Sequence, residues 1–396
     1  MAPVVRALQA ESGIRCLVCT TGQHRSMLAQ VMQHFGIAAD VELDVMQPEQ
    51  SLNGLSARLF SAIDGALERL RPDRVLVHGD TTTAMVAAMA AFQRRIPVGH
   101  VEAGLRTGDL ARPFPEEMNR RVIDSFADLL FAPTATARDH LEQEALAGTI
   151  HVTGNTVIDA LQLTAARLDG DAALRRGLDD ALPALDQAAR AGRRLLLVTG
   201  HRRENFGEGF DSICDALAEL ALGRDDIEIV YPVHLNPQVR APVRARLQGL
   251  PRLHLIEPLG YVAFVRLMQR AHAVLTDSGG VQEEAPSLGK PVLVMRDVTE
   301  RPEAVHAGTV RLVGTRAAAI VGAVEELWRE APHATGRAAS TPAPRNPYGD
   351  GHASARIAAV LCGRPYLPFA PAATAQPPVP QPVALRRDTG PMPLPA

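Results

Sequence analysis

Apolar, β-branched runs alternate with stretches of helical spacing along most of this chain, and that alternation restricts the fold more than any other property of the sequence. Residues 14–20, 74–79, 98–103 and 128–133 read as buried strands, and 51–70, 82–94 and 116–126 as helices between them. The pattern starts afresh near Arg193. There 194–199, 227–233, 253–257, 273–276 and 291–295 read as strands, with helices at 210–221, 237–248, 261–271 and 281–288. Strand–helix–strand repeats build parallel sheets through right-handed crossovers, so the expected class is α/β. Two such series, parted by the polar stretch around 169–193, predict two doubly wound domains facing each other across a cleft. The expected division is an N-terminal domain over 1–165 and a C-terminal domain over 166–345. A helix within 346–362 is expected to pack back on the first domain, and the Pro-rich residues 363–396 to form a disordered tail.

Composition narrows the function classes. A chain of 396 residues suits two domains of roughly 150–200 residues. A net charge of -3 gives no basic footprint, which excludes a general nucleic-acid binder. No apolar run reaches the ~18 residues of a membrane span, and the N-terminus does not read as a signal peptide. Cys16, Cys19, Cys214 and Cys362 are too scattered for a disulfide framework. Cys16 and Cys19, three apart on a strand, face opposite sides and do not form a redox or zinc pair. The histidines lack ligand spacing, so no metal is expected. These limits predict a cytoplasmic enzyme.

In open parallel sheets ligands bind beyond the carboxyl ends of the strands. Asp80, Glu102 and Glu116 follow three successive strands of the first half. Asp80 and Glu116 also stand at helix starts, where capping competes as an explanation. Glu102 closes a buried strand and has no such alternative. In the second half His201 follows one strand and Ser278-Gly279-Gly280 follows another and opens a helix. Bare glycine backbone at a helix N-terminus suits a phosphate. Glu284, on the first helical turns, can accept from ribose hydroxyls, whereas Glu283 reads as complementing the helix dipole. Arg301 can offer a guanidinium to a phosphate, and Arg202-Arg203 do likewise or form surface ion pairs.

Several segments carry a resemblance. Thr21-Gly-Gln-His-Arg25, Val77-His-Gly-Asp-Thr-Thr-Thr83, Gly99-His-Val-Glu-Ala-Gly-Leu-Arg-Thr-Gly108, Val198-Thr-Gly-His-Arg-Arg-Glu204, Tyr231-Pro-Val-His-Leu-Asn-Pro237, Thr276-Asp-Ser-Gly-Gly-Val-Gln-Glu-Glu284, Thr299-Glu-Arg-Pro-Glu303 and Asn346-Pro-Tyr-Gly-Asp-Gly351 resemble the bacterial non-hydrolysing UDP-N-acetylglucosamine 2-epimerases, in order and at near-constant spacing. The resemblance implies two Rossmann-like domains in the glycosyltransferase-B (GT-B) arrangement. It implies interconversion of UDP-GlcNAc and UDP-ManNAc by elimination of UDP to 2-acetamidoglucal and re-addition, with no cofactor, in a cytoplasmic homodimer typical of cell-envelope polysaccharide synthesis. By the family pattern Asp80, Glu102, Glu116 and His201 are catalytic or active-site positions, with Asp80 and Glu116 expected to handle protons and Glu102 to position the sugar. Phe264, Ser278, Gly279, Gly280, Glu284 and Arg301 match positions that hold UDP. Leu259 stands where some members place a glutamine near the uracil. Gln23, Gln47 and His234 resemble a second, activating UDP-GlcNAc site.

One departure stands out. The family begins with a strand, a Gly-x-Arg-Pro-Glu loop and a lysine just before a Met-Ala-Pro helix start, whereas this sequence begins at Met1-Ala2-Pro3. The missing strand is central in such a sheet, so 14–20 and 74–79 are expected to leave backbone groups unpaired or to close the gap. A start upstream of Met1 is the expected natural one. Three other readings compete: a GT-B glycosyltransferase, a hydrolysing epimerase that releases free sugar, and a catalytically silent nucleotide-sugar-binding remnant.

Overall fold

The computed structural model describes residues 1–22, 25–47, 50–299, 301–330 and 346–371. Among these, twelve strands pair in parallel in three sheets. β1 (Cys19–Thr20) pairs with β2 (Val41–Glu42). β3 (Val75–His78), β4 (Val98–Val101), β5 (Leu129–Ala132) and β6 (Thr149–Val152) form a second sheet in sequential order. Helices Leu52–Leu70 and Thr82–Gln93 cover one face of it, burying Leu59, Ile63, Val86 and Ala88 near Val77, Val98 and Leu130. The other face is sealed by helices Ala2–Gln9 and Ala353–Leu361, whose Val4, Leu8, Ile357 and Ala358 meet Val101 and Phe131. The far end of the chain thus completes the core of its beginning.

The strand expected over 14–20 shortens to Cys19–Thr20. A ladder needs a neighbour with free N–H and C=O groups. Among the described residues β1 finds only β2, and β3 is an edge strand with β4 as its partner. The two sheets do not close on each other. Ile14, Cys16 and Leu76 instead pack their side chains into the cluster of Val4 and Leu8.

The second lobe has one sheet of six strands. β7 (Arg194–Thr199), β8 (Ile227–Pro232), β9 (Leu253–Ile256), β10 (Ala273–Thr276), β11 (Val292–Val294) and β12 (Val310–Leu312) lie in the order β12-β11-β10-β7-β8-β9. Side chains alternate between faces along a strand. Leu196 and Val198 accordingly enter one core with Phe210, Ile213 and Ile229, while Leu195 and Leu197 enter another with Val265, Met268 and Val274. That second core also takes Ile158, Leu161 and Leu168 from helix Thr156–Gly170, which leaves the first lobe after β6. The strand order reverses between β7 and β10, the place where such sheets open a crevice for ligand.

Residues 363–371, expected to be disordered, are instead docked on the first lobe. Phe369 is buried, its N–H donates to Val152 O at 2.9 Å, and Arg356 lies 5.8 Å over its ring. Tyr366 Oη is 2.8 Å from His151 Nδ1. Two aromatic residues supply enough apolar contact to dock residues 363–371 beside β6; the rest of the expected tail lies outside the described residues.

Candidate active site

The loop after β3 delivers Asp80. Its neighbour Thr81 caps helix Thr82–Gln93 by accepting the Ala84 N–H at 3.1 Å, so the Asp80 carboxylate is released from capping. It instead takes Arg120 Nη2 at 2.6 Å, while Asn119 Nδ2 donates to the Asp80 carbonyl at 2.8 Å. Glu116 opens helix Glu116–Asp124 one turn before Arg120, and residues four apart share a helix face. Glu117 is buried and holds the loop before this helix, accepting from Thr107 N at 3.1 Å and from Arg121 Nε at 3.1 Å. Beneath the Gly79–Asp80 turn, buried His100 bridges Asp124 Oδ1 (2.6 Å) and Gly79 O (2.9 Å). Burial opposes ionisation of Asp124, but His100 and Arg106 outweigh it and hold its carboxyl below the usual range.

Glu102 follows β4 directly with φ of 71°, a left-handed conformation rare for a residue with a Cβ. Its Oε1 accepts from Asn155 Nδ2 at 3.2 Å, and His78 Nε2 lies 3.4 Å from Oε2. Gly79 is what lets this carboxylate in: a Cβ there would stand 3.3 Å from Glu102 Oε2, on a backbone with φ of 66°. Desolvation pushes the Glu102 carboxyl up to about 7; Glu283 and Asp80 add to the rise, and Arg301 and Asn155 oppose it. Burial above all holds His78 well below its ordinary value, so its imidazole is neutral.

Across from these acids lie the ends of β7 and β10. Buried Asp277 accepts from the backbone N–H groups of His201 and Arg202, each at 2.9 Å. His201 stacks on His234 at 5.4 Å, and burial lowers its basicity despite Asp277 nearby. Ser278 and the two glycines follow, with Gly279 buried and Gly280 exposed. Glu284 is buried and its carboxyl is pushed up to about 8, by desolvation first and then by Glu283. Tyr261, its hydroxyl 3.4 Å from Glu284 Oε1, packs with Leu259 and Phe264 at the edge of the core.

Glu283 does not merely complement a helix dipole, as its sequence position suggests. It is buried, pairs with Arg301, and accepts from Asn155 Nδ2 at 2.7 Å. The helix is too short and too enclosed to leave that carboxylate facing solvent. Glu102, Asn155, Glu283 and Arg301 therefore form one continuous polar chain from the first lobe to the second. Thr134 Oγ1 adds a second link by donating to Glu303 Oε1 at 3.1 Å. Gln47 is exposed, its N–H donating to Gln50 Oε1 at 3.1 Å, and His234 is exposed beside His201. Gln23 lies outside the described residues. Among the described residues no cluster of three or more His, Cys, Asp or Glu is arranged for a metal ion, and no helix is long and apolar enough to cross a membrane.

Known proteins place this arrangement. A family model described as UDP-N-acetylglucosamine 2-epimerase matches residues 6–362. A protein of Ralstonia nicotianae named probable UDP-N-acetylglucosamine 2-epimerase is 55% identical over 361 residues, covering 90% of this chain and 93% of that one. The chain belongs to the UDP-N-acetylglucosamine 2-epimerase family. The Escherichia coli K12 member is 51% identical over 364 residues, 91% of this chain and 94% of its own. The crystal structure of the Neisseria meningitidis epimerase, bound to UDP-GlcNAc, matches with a TM-score of 0.83 at 44% identity, covering 92% of this chain and 96% of that one. The epimerase thus has the two-lobed GT-B fold of its relatives.

Proposed function

We propose that this epimerase interconverts UDP-GlcNAc and UDP-ManNAc without releasing free sugar. The observation that carries the reading is the buried chain Glu102–Asn155–Glu283–Arg301, which joins a carboxyl poised near 7 to a guanidinium on the opposite lobe. The C2 hydrogen of a sugar nucleotide is not acidic enough for direct removal. If the C1–O bond opens first, UDP leaves with the bonding pair, C1 becomes cation-like and C2–H is acidified. A carboxylate takes that proton, giving 2-acetamidoglucal with UDP beside it. Delivery of a proton to the opposite face of C2 and return of UDP to C1 give the epimer. Arg301, His201 and the backbone N–H groups of Gly279 and Gly280 are the groups suited to the departing diphosphate, the Ser278 N–H being taken by Thr276 Oγ1 at 2.9 Å. Tyr261, Phe264, Leu259 and Glu284 are suited to the nucleoside.

The acids divide by environment. A group titrating near 7 accepts and returns a proton with little loss in either direction, which moves the proton-handling role toward Glu102. Asp80, ion-paired with Arg120, and Glu116 on the same helix face as that arginine, serve the opposite side of C2. Such catalysis contributes about 10²–10⁴-fold per group. Glu102→Gln and Asp80→Asn should each stop deuterium entry at C2 in D₂O while UDP-GlcNAc still binds. Normal exchange in either variant removes that residue from the mechanism, and free sugar in the parent reaction would replace epimerisation with hydrolysis.

We also propose a cytoplasmic homodimer. Phe92, 55% exposed and 4.9 Å from Phe126, offers an apolar face for a second copy. Gln47 and His234 are proposed to meet an activating second nucleotide sugar. Sedimentation velocity decides the first point and sigmoidal substrate dependence the second.

A further inference from the structure

Asn155 touches both lobes and links Glu102 to Glu283, yet no step of the chemistry above is assigned to it. It is buried, and every polar atom of its side chain is committed. Oδ1 accepts the Val157 N–H at 3.1 Å and so caps helix Thr156–Gly170. That bond fixes the amide orientation, because a flipped amide would set NH₂ against an N–H and oxygen against two carboxylates. Nδ2 has two hydrogens, and two carboxylates receive them: Glu102 Oε1 at 3.2 Å and Glu283 Oε2 at 2.7 Å. The Asn155 N–H donates to Tyr348 O at 2.6 Å, so the backbone is pinned as well. Glu102 enters from a strained backbone, and the Asn155 amide is the donor that orients its carboxylate.

We propose that Asn155 is a positioning residue that aims the Glu102 carboxylate at the reacting carbon and ties that aim to Glu283 and Arg301 on the other lobe. The proposal rests on the epimerase reading and deepens it. The charged and titratable groups facing Glu102 and Glu283 are Asp80, His78, Arg301, Glu303, Glu284 and Tyr348.

Two substitutions separate aiming from capping. Asn155→Asp keeps the cap and the size but turns the donor into a third carboxylate, which donates only when protonated. Its kcat should fall about 100-fold near pH 8, and the deficit relative to the parent should shrink as pH is lowered. Asn155→Ser keeps a favoured cap but cannot span both carboxylates, and its deficit should be of similar size and unchanged by pH. For both, KM and the Kd for UDP should stay within about threefold of the parent. A purely structural Asn155 predicts the opposite: folded variants with parental kcat and pH profile, and either variant behaving so overturns the proposal. If the aspartate variant does not fold, the serine variant decides by its kcat against its Kd for UDP. A parent enzyme that places no deuterium at C2 would remove the epimerase reading itself, whereas an active parent with an undiminished serine variant removes only the role of Asn155.

Discussion

At the scale of single residues, the site is held in a state that water would not choose. Glu102 and Glu284 are pushed up to about 7 and about 8 by burial. Above roughly pH 4.3 the unfolded chain releases these protons, while the folded chain keeps them up to the raised values. The folded state therefore binds more protons in that window, and stability falls as pH rises through it. Glu284→Gln removes one such group while keeping an acceptor for the Tyr261 hydroxyl. The melting temperature of the unliganded parent should decline between about pH 5 and 8 more steeply than that of the variant, the gap amounting to about 2–4 °C per kcal/mol relieved. Parallel curves in a fluorimetric melt would show that Glu284 titrates normally. Of these residues Asp80, Glu102 and Glu284 were legible because strand ends and helix starts can be read from the chain. Asn155 and Glu283 were not. Asn155 follows β6, whose short and only partly buried Thr-Ile-His-Val run gives little strand signal. Glu283 gains its role from a partner 128 positions away, and no local pattern records that.

At the scale of elements, the sequence marked where helices begin better than which residue begins them. Asp80 and Thr81 both have capping side chains, and a capping aspartate would not be free for the proton-handling role proposed for Asp80. The structure gives the cap to Thr81. Thr81→Ala should cost about 1 kcal/mol, whereas Thr81→Ser should cost little. The alanine variant frees the turn that aims Asp80, so its kcat should drop together with its melting temperature, and kcat unchanged in a destabilised variant would separate the cap from the site. Strand content shows a different limit. Residues 14–20 have the composition of a strand, but a ladder is a property of two chains of atoms, and the partner expected beside 14–20 is not among the described strands. Residues 363–371 err in the other direction: low-complexity sequence hid the two aromatic residues that dock them.

At the scale of the whole molecule, the chain crosses between lobes twice, and each crossing places side chains in a core distant in sequence. Helix Thr156–Gly170 sends Ile158 and Leu161 into the second lobe, and helix Ala353–Leu361 returns Ile357 and Ala358 to the first. Ile357 is fully buried with Val4 and Leu8 from the start of the chain and Val101 and Phe131 from β4 and β5. Truncating it leaves a cavity that these neighbours cannot fill, at a cost of about 2–5 kcal/mol. Because that cluster is separate from the cores around β7 to β12, the loss should stay local. In Ile357→Ala, amide hydrogen exchange should therefore accelerate in Ala2–Gln9 and in β4 and β5, more than 200 positions away in sequence, while β7, β8 and β10 keep their protection. Leu217→Ala, in the core beside β7 and β8, should give the reverse map. Uniform acceleration across both sheets in either variant would mean that the lobes unfold as one unit, coupled through the contacts of Asn155, Thr134 and Tyr348 and the apolar side chains of helix Thr156–Gly170.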